Sequence, residues 1–169
     1  MTPSISTGCL KLLNMEKRNG TYALILEARS GFELTVGKLG RLSGRPGYYV
    51  YVGSAFGPGG VKARLKHHRQ CALQPHWHID YLRLQLPFNE VWYTHDLHKS
   101  ECEWAELMAG MPGATTPFGG FGASDCTCPA HLIYFEQAPS FEAFRQRLSL
   151  SKVKHAPVRR VSYTYLTEL

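Results

Sequence analysis

The stretch from Tyr48 to Gly53 constrains the fold more than any other part of this chain. Tyr and Val fill it without a single charge, a pattern that suits a pleated, buried strand. Gly44 to Gly47, with Pro46, breaks the chain before it, and the Gly/Pro loop Phe56 to Gly60 breaks it after. Val61 to Gln70 then reads as a helix, because Val61, Leu65 and His68 share one face while Lys62, Lys66 and Arg69 point elsewhere. A strand, a Gly-rich turn and an amphipathic helix in succession form the unit around which the other elements must be arranged.

Upstream, Tyr22 to Glu27 and Phe32 to Val36 are β-prone, and Ser30-Gly31 between them predicts a hairpin of these two segments. Downstream, Pro75 predicts a short helix through Trp77 to Leu84. Val91 to Thr94 predicts a strand, and Leu132 to Glu136 another. Ser100 is expected to cap a helix from Glu101 to Met108, with Glu103 completing a capping box, and Ser140 to cap a helix from Phe141 to Leu148. Strands with helices inserted after them predict an α+β domain in which helices flank a small central antiparallel sheet. The expected organisation is a poorly ordered leader over residues 1–19, a domain over 20–150 and a basic tail over 151–169, whose Val161 to Leu166 could add an edge strand.

With 169 residues, one core is expected, and 44% hydrophobic against 19% charged residues excludes a disordered chain. No apolar run approaches the length of a membrane span, which argues against a membrane partner. The net charge of +6 is segmented. No acid occurs between Leu34 and Ile79, where Lys38, Arg41, Arg45, Lys62, Arg64, Lys66 and Arg69 lie. From Asp80 to Glu106 acids predominate, and the tail is basic again through Arg159 and Arg160. A basic surface beside an acidic patch suits a phosphate-bearing partner and a cation. Five cysteines without regular disulfide spacing point to a reducing, cytoplasmic or nucleoid location.

Hydrolysis of a phosphodiester needs a base for water, positive charge on the non-bridging oxygens and usually a carboxylate-bound cation. Tyr22, Tyr51, Arg64, His68 and Glu101 are candidates for those roles. Arg64 and His68, four apart on a helix, could meet one phosphate together. Each also has a plainer reading, as a packed tyrosine or a solvated arginine. Trp77 and Tyr81 read as core residues, although Trp77, set between His76 and His78 next to a basic surface, also suits base stacking.

Gly20-Thr21-Tyr22, Tyr51-Val52-Gly53, then Arg64, His68 and Glu101 in that order resemble the motifs of the GIY-YIG nuclease superfamily. Longer strings resemble a largely uncharacterised branch of it: Tyr49 to Ala55, His76 to Leu82 (HWHIDYL), Glu101-Cys102, and Phe121 to Cys126 (FGASDC) continuing through Cys128 to His131-Leu132. The match runs from about Gly20 to Glu136. The resemblance implies an endonuclease acting on DNA rather than RNA, with Mg²⁺ or Mn²⁺ as cofactor. By it, Tyr22 or Tyr51 helps activate water, Arg64 stabilises phosphate charge, His68 assists proton transfer, and Glu101 binds the cation. Lys62, Lys66, Arg69, Trp77 and His78, from the basic stretch, are expected to contact the nucleic acid. The interval between the two tyrosine motifs is longer than in typical members, so Phe32 to Gly47 must enlarge the connection between their strands.

A second constellation is Asp125, Cys126, Cys128 and His131, with His76 and His78 beside them. It is open to three readings: packing, a Zn²⁺ site, or a role near the active site. The alternatives to the nuclease are therefore a non-catalytic nucleic-acid-binding module with the same fold, and a zinc-stabilised interaction domain.

Overall fold

The computed structural model describes residues 15–70, 74–124, 126–152 and 154–162, with backbone alone at 88 and 89. The strands are β1 (Gly20–Ala28), β2 (Phe32–Val36), β3 (Gly40–Gly44), β4 (Gly47–Ala55), β5 (Phe88–Tyr93), β6 (Leu132–Phe135) and β7 (Arg159–Ser162). The helices are α1 (Gly60–Gln70), α2 (His78–Arg83), α3 (Glu101–Ala109) and α4 (Phe141–Leu150). Five strands form an antiparallel sheet in the order β6-β4-β1-β5-β7, and β2 and β3 form a separate two-stranded sheet. The fold is α+β, as expected.

Strand alternation divides the core in two. Tyr22, Leu24 and Leu26 of β1, with Tyr49 and Tyr51 of β4, face Val61 and Leu65 of α1 and Ile79 and Leu82 of α2. Ala23, Ile25, Val50 and Val52 face the other way, onto Trp104 and Met108 of α3 and Phe144 and Leu148 of α4. The main sheet thus has helices on both faces, which is why β1, its middle strand, is apolar on both sides.

The expected hairpin of Tyr22 to Glu27 with Phe32 to Val36 does not form. β2 pairs with β3, from Phe32 opposite Gly44 to Val36 opposite Gly40. β1 pairs with β4 along its whole length, from Gly20 opposite Ala55 to Ala28 opposite Gly47. The physical reason lies in the side chains: Leu34 alternates with exposed Glu33 and Thr35, so β2 suits a hairpin with a solvated face. Residues 32–44 therefore form a hairpin of their own, packed against the core through Phe32, Leu34, Leu39 and Leu42, and leave β1 and β4 in direct contact.

Ser140 caps α4 as expected, its hydroxyl accepting from the Ala143 N–H at 3.1 Å. Ser100 precedes α3 but makes no side-chain cap. Its hydroxyl turns to the His98 carbonyl, and its N–H donates to the Thr21 hydroxyl at 3.2 Å. The expected capping box gives way to a tie between the start of α3 and β1. β7 lies at the sheet edge against β5, so the basic segment enters the main sheet through Ser162, and Tyr163 to Leu166 lie outside the described residues.

Candidate functional site

The β1–β4 register sets Tyr22 opposite Gly53 and Leu24 opposite Tyr51. Tyr22 and Tyr51 are therefore diagonal neighbours on one face, with ring centroids 6.5 Å apart, and both are buried. Gly53 has a steric reason to lack a side chain. A Cβ there would stand 2.6 Å from the Tyr22 hydroxyl and 2.7 Å from its ring carbon, closer than packed atoms approach. The glycine opens the space into which the Tyr22 ring lies.

From α1, His68 reaches the same space. Its ring is buried, and its Nε2 lies 2.8 Å from the Tyr22 hydroxyl. Behind it stands Asp80, the third residue of α2. The Asp80 Oδ2 accepts from the backbone N–H groups of His76 and Trp77, each at 3.0 Å, and its Oδ1 lies 3.0 Å from His67 Nε2. The same Oδ1 is 3.8 Å from His68 Nδ1, too long for a hydrogen bond but close enough to attract a proton to that nitrogen. With the proton on Nδ1, Nε2 is left as an acceptor and Tyr22 O–H donates to it.

Electrostatics agree with that assignment. Burial pushes the His68 imidazole down to about 4 against the pull of Asp80, so the ring is neutral at neutral pH. Burial alone would raise the Asp80 carboxyl, but the His68 ring, the Trp77 and His76 N–H groups and His67 together hold it well below the usual carboxylate range. Burial pushes Tyr51 up to about 12 despite Arg64. Burial and the neighbouring Tyr51 push Tyr22 well above its ordinary value, with Arg64 opposing.

Arg64 and Glu101 belong to this environment, since each acts electrostatically on both tyrosines. The Arg64 guanidinium lies over the Trp77 ring, 4.2 Å from its centre, and is half-buried there. Glu101 opens α3, and its Oε2 is buried and meets no hydrogen-bond donor among the described residues. An unmet buried carboxylate oxygen is a donor that suits a hard cation.

The remaining sequence candidates fall around this centre. Lys62 and Arg69 are half-buried on α1, and Lys66 is exposed. Trp77 packs edge-on against His67, with ring centres 4.7 Å apart. His78 accepts from the Gly122 N–H at 2.9 Å, which ties α2 to the loop before β6. A cavity of about 440 Å³ lies beside it, lined by Lys38, Leu39, His76, His78, Tyr81 and Ser124. Two participants, Asp80 and His67, were not singled out from sequence for any role. The signal was available for Asp80, the first acid after a long acid-free basic run and the third residue of a helix.

Across the sheet edge from Tyr51, the loop before β6 carries the second constellation. Gly122 has a positive φ of 73°, and a Cβ there would stand 2.9 Å from the Tyr51 ring and 3.1 Å from His131 Cβ. Cys126, Cys128 and His131 are joined by Cys102 of α3, and the ligand atoms of the four lie within 4.8 Å of one another. Cys102 and Cys128 are linked as a disulfide, and Cys126 is free. This group could hold a metal ion, and its sulfur and imidazole donors suit Zn²⁺. Cys102 was the member that sequence spacing did not reveal, because it comes from a different element. Asp125 lies outside the described residues. His67, His68 and Asp80 form a second group with ligand atoms equally close. Among the described residues no helix is long and apolar enough to cross a membrane.

The fold and site define an α+β domain with a buried Tyr–His–Asp chain and, near it, a group of half-buried cysteines around the buried His131. The family described as Domain of unknown function DUF123 matches residues 21–153, and the chain belongs to that family. No curated protein and no solved structure matches it.

Proposed function

We propose that this protein is a divalent-metal-dependent endonuclease that hydrolyses phosphodiester bonds in DNA, a GIY-YIG-type enzyme in keeping with its motifs. The observation that carries the reading is the Tyr22 hydroxyl held 2.8 Å from His68 Nε2, with Asp80 behind the ring. A tyrosine whose hydroxyl ionises well above neutral pH cannot serve as a preformed phenolate. It can pass a proton on: Tyr22 gives its O–H proton to His68 Nε2 as its oxygen accepts one from the attacking water. The imidazolium that results faces the Asp80 carboxylate, which stabilises it. Tyr51 borders the same space and orders the reacting groups. Arg64, held over Trp77, meets the charge that develops on the non-bridging oxygens. Glu101 would hold Mg²⁺ or Mn²⁺, whose charge would ease departure of the leaving oxygen. Lys62, Lys66 and Arg69 on α1 would contact the DNA backbone, His78 lines the cavity that would receive a neighbouring nucleotide, and Trp77, which precedes it in the chain, would offer a stacking surface.

A nicking assay on supercoiled plasmid with Mg²⁺ and Mn²⁺ tests the reading, alongside branched and single-stranded substrates. The natural protein is expected to cleave, Arg64→Ala to be slower by about 10²–10³, and Glu101→Ala to lose the metal-dependent activity. Equal cleavage by all three proteins would identify a contaminant and remove the proposal. Salt-dependent binding without turnover on every substrate would replace it with the non-catalytic binding module.

A further inference from the structure

The proton chain at Tyr22 makes no use of the cysteine and histidine group, yet that group is built with precision. The His131 N–H donates to the Phe121 carbonyl at 2.7 Å, and its carbonyl accepts from the Val52 N–H at 2.9 Å, so its backbone is fixed to β4 and to the loop. The Gly120 N–H donates to the Pro129 carbonyl at 2.7 Å, which closes the loop around Cys126 and Cys128. Cys102 enters from the first turn of α3, its Cα 6.3 Å from that of Cys128. His131 Nε2 lies 3.3 Å from Cys126 Sγ and 3.7 Å from Cys102 Sγ. A tetrahedral ion with bonds of about 2.1 Å to nitrogen and 2.3 Å to sulfur keeps its donors roughly 3.5–3.8 Å apart. With the Cys102–Cys128 bond reduced, three thiols and one buried imidazole, all with ligand atoms within 4.8 Å of one another, match a closed structural site in number and softness.

We propose that Cys102, Cys126, Cys128 and His131 bind Zn²⁺ when the protein is reduced, and that the Cys102–Cys128 disulfide is the state left when oxidation removes the ion. The exchange balances with a peroxide as oxidant. The Cys102 and Cys128 thiolates each give up one electron and form the S–S bond, and the peroxide O–O bond breaks. Two protons from solvent complete two waters, and Zn²⁺ leaves with Cys126 and His131 no longer sharing it. The three cysteines are only half-buried, so an oxidant of that size can reach them. Either state clips the start of α3 to the loop that packs on Tyr51; the ion makes the clip reversible by redox conditions. This inference does not depend on the nuclease reading.

Elemental analysis of protein purified under reducing conditions without added metal is expected to give stoichiometric zinc. Peroxide, followed with a chromogenic chelator, is expected to release that zinc with loss of two thiols per chain, and reductant plus zinc to restore both. Cys126→Ser and His131→Ala should lose the ion, while His131→Cys keeps it. Cobalt added to the zinc-free reduced protein should give the visible bands of a tetrahedral thiolate site. Circular dichroism of each variant separates loss of a ligand from loss of the fold. A reduced, folded natural protein with neither stoichiometric zinc nor a tetrahedral cobalt spectrum would overturn the proposal. So would folded Cys126→Ser and His131→Ala that retain zinc in full, or peroxide that oxidises Cys102 and Cys128 while the zinc stays bound.

Discussion

His68 sits where burial and a carboxylate pull in opposite directions, and burial wins. Its ring titrates at about 4 rather than 6.5, among Asp80, His67 and Arg64. As pH falls, an unfolded histidine takes up its proton before the folded one does. The stability the neutral ring contributes is therefore complete above about 6.5 and is lost as pH falls toward 4. At 1.36 kcal/mol per unit, the loss is on the order of 3 kcal/mol. Asp80, whose carboxyl is held low, adds a second loss that sets in as pH falls through the ordinary carboxylate value and continues below it, so it follows the loss from His68. Denaturant unfolding of the natural protein is expected to weaken between about pH 6.5 and 4, and His68→Gln to show a flatter profile there. Identical slopes would mean that His68 is not the group titrating.

β1 and β4 present the site because Gly53 leaves room for the Tyr22 ring. Gly53→Ala would drive a Cβ into Tyr22 and is expected to cost about 1–3 kcal/mol. In a Tyr22→Ala background the same change should cost much less, and equal costs in the two backgrounds would show that the contact is not what requires glycine. Much of this element layout was legible in the sequence. The uncharged Tyr and Val run, the helix after the Gly/Pro loop and the Ser140 cap all follow from local chemistry. The pairing of β1 was not legible, because Ser30-Gly31 marks a turn but does not name its partners. The better clue was that Tyr22 to Leu26 is apolar at every position, as a middle strand must be, whereas β2 alternates. Ser100 misled for a related reason: a cap is a local option, and here Thr21, 79 residues earlier, competes for the same residue. Cys102 was invisible as a partner of Cys128 because folding alone brings α3 to that loop.

Across the whole molecule, segmented charge becomes arrangement. The basic run supplies Arg64, Lys62, Lys66 and Arg69 on α1, and its end at Asp80 supplies the carboxylate behind His68. The acidic run supplies Glu101 across the same space, and Arg160 on the edge strand pairs with Glu90. Tyr22, His68 and Arg64 are thus assembled by β1 and α1 with α2 as buttress, and the proposed cleavage requires that assembly to transfer a proton. Single-turnover cleavage of a labelled DNA duplex, with binding measured in parallel, puts the question directly through Tyr22→Phe. Removing the hydroxyl while leaving the ring is expected to lower the cleavage rate about 10²–10⁴-fold with DNA affinity unchanged. Cleavage by folded Tyr22→Phe at the natural rate would contradict the account.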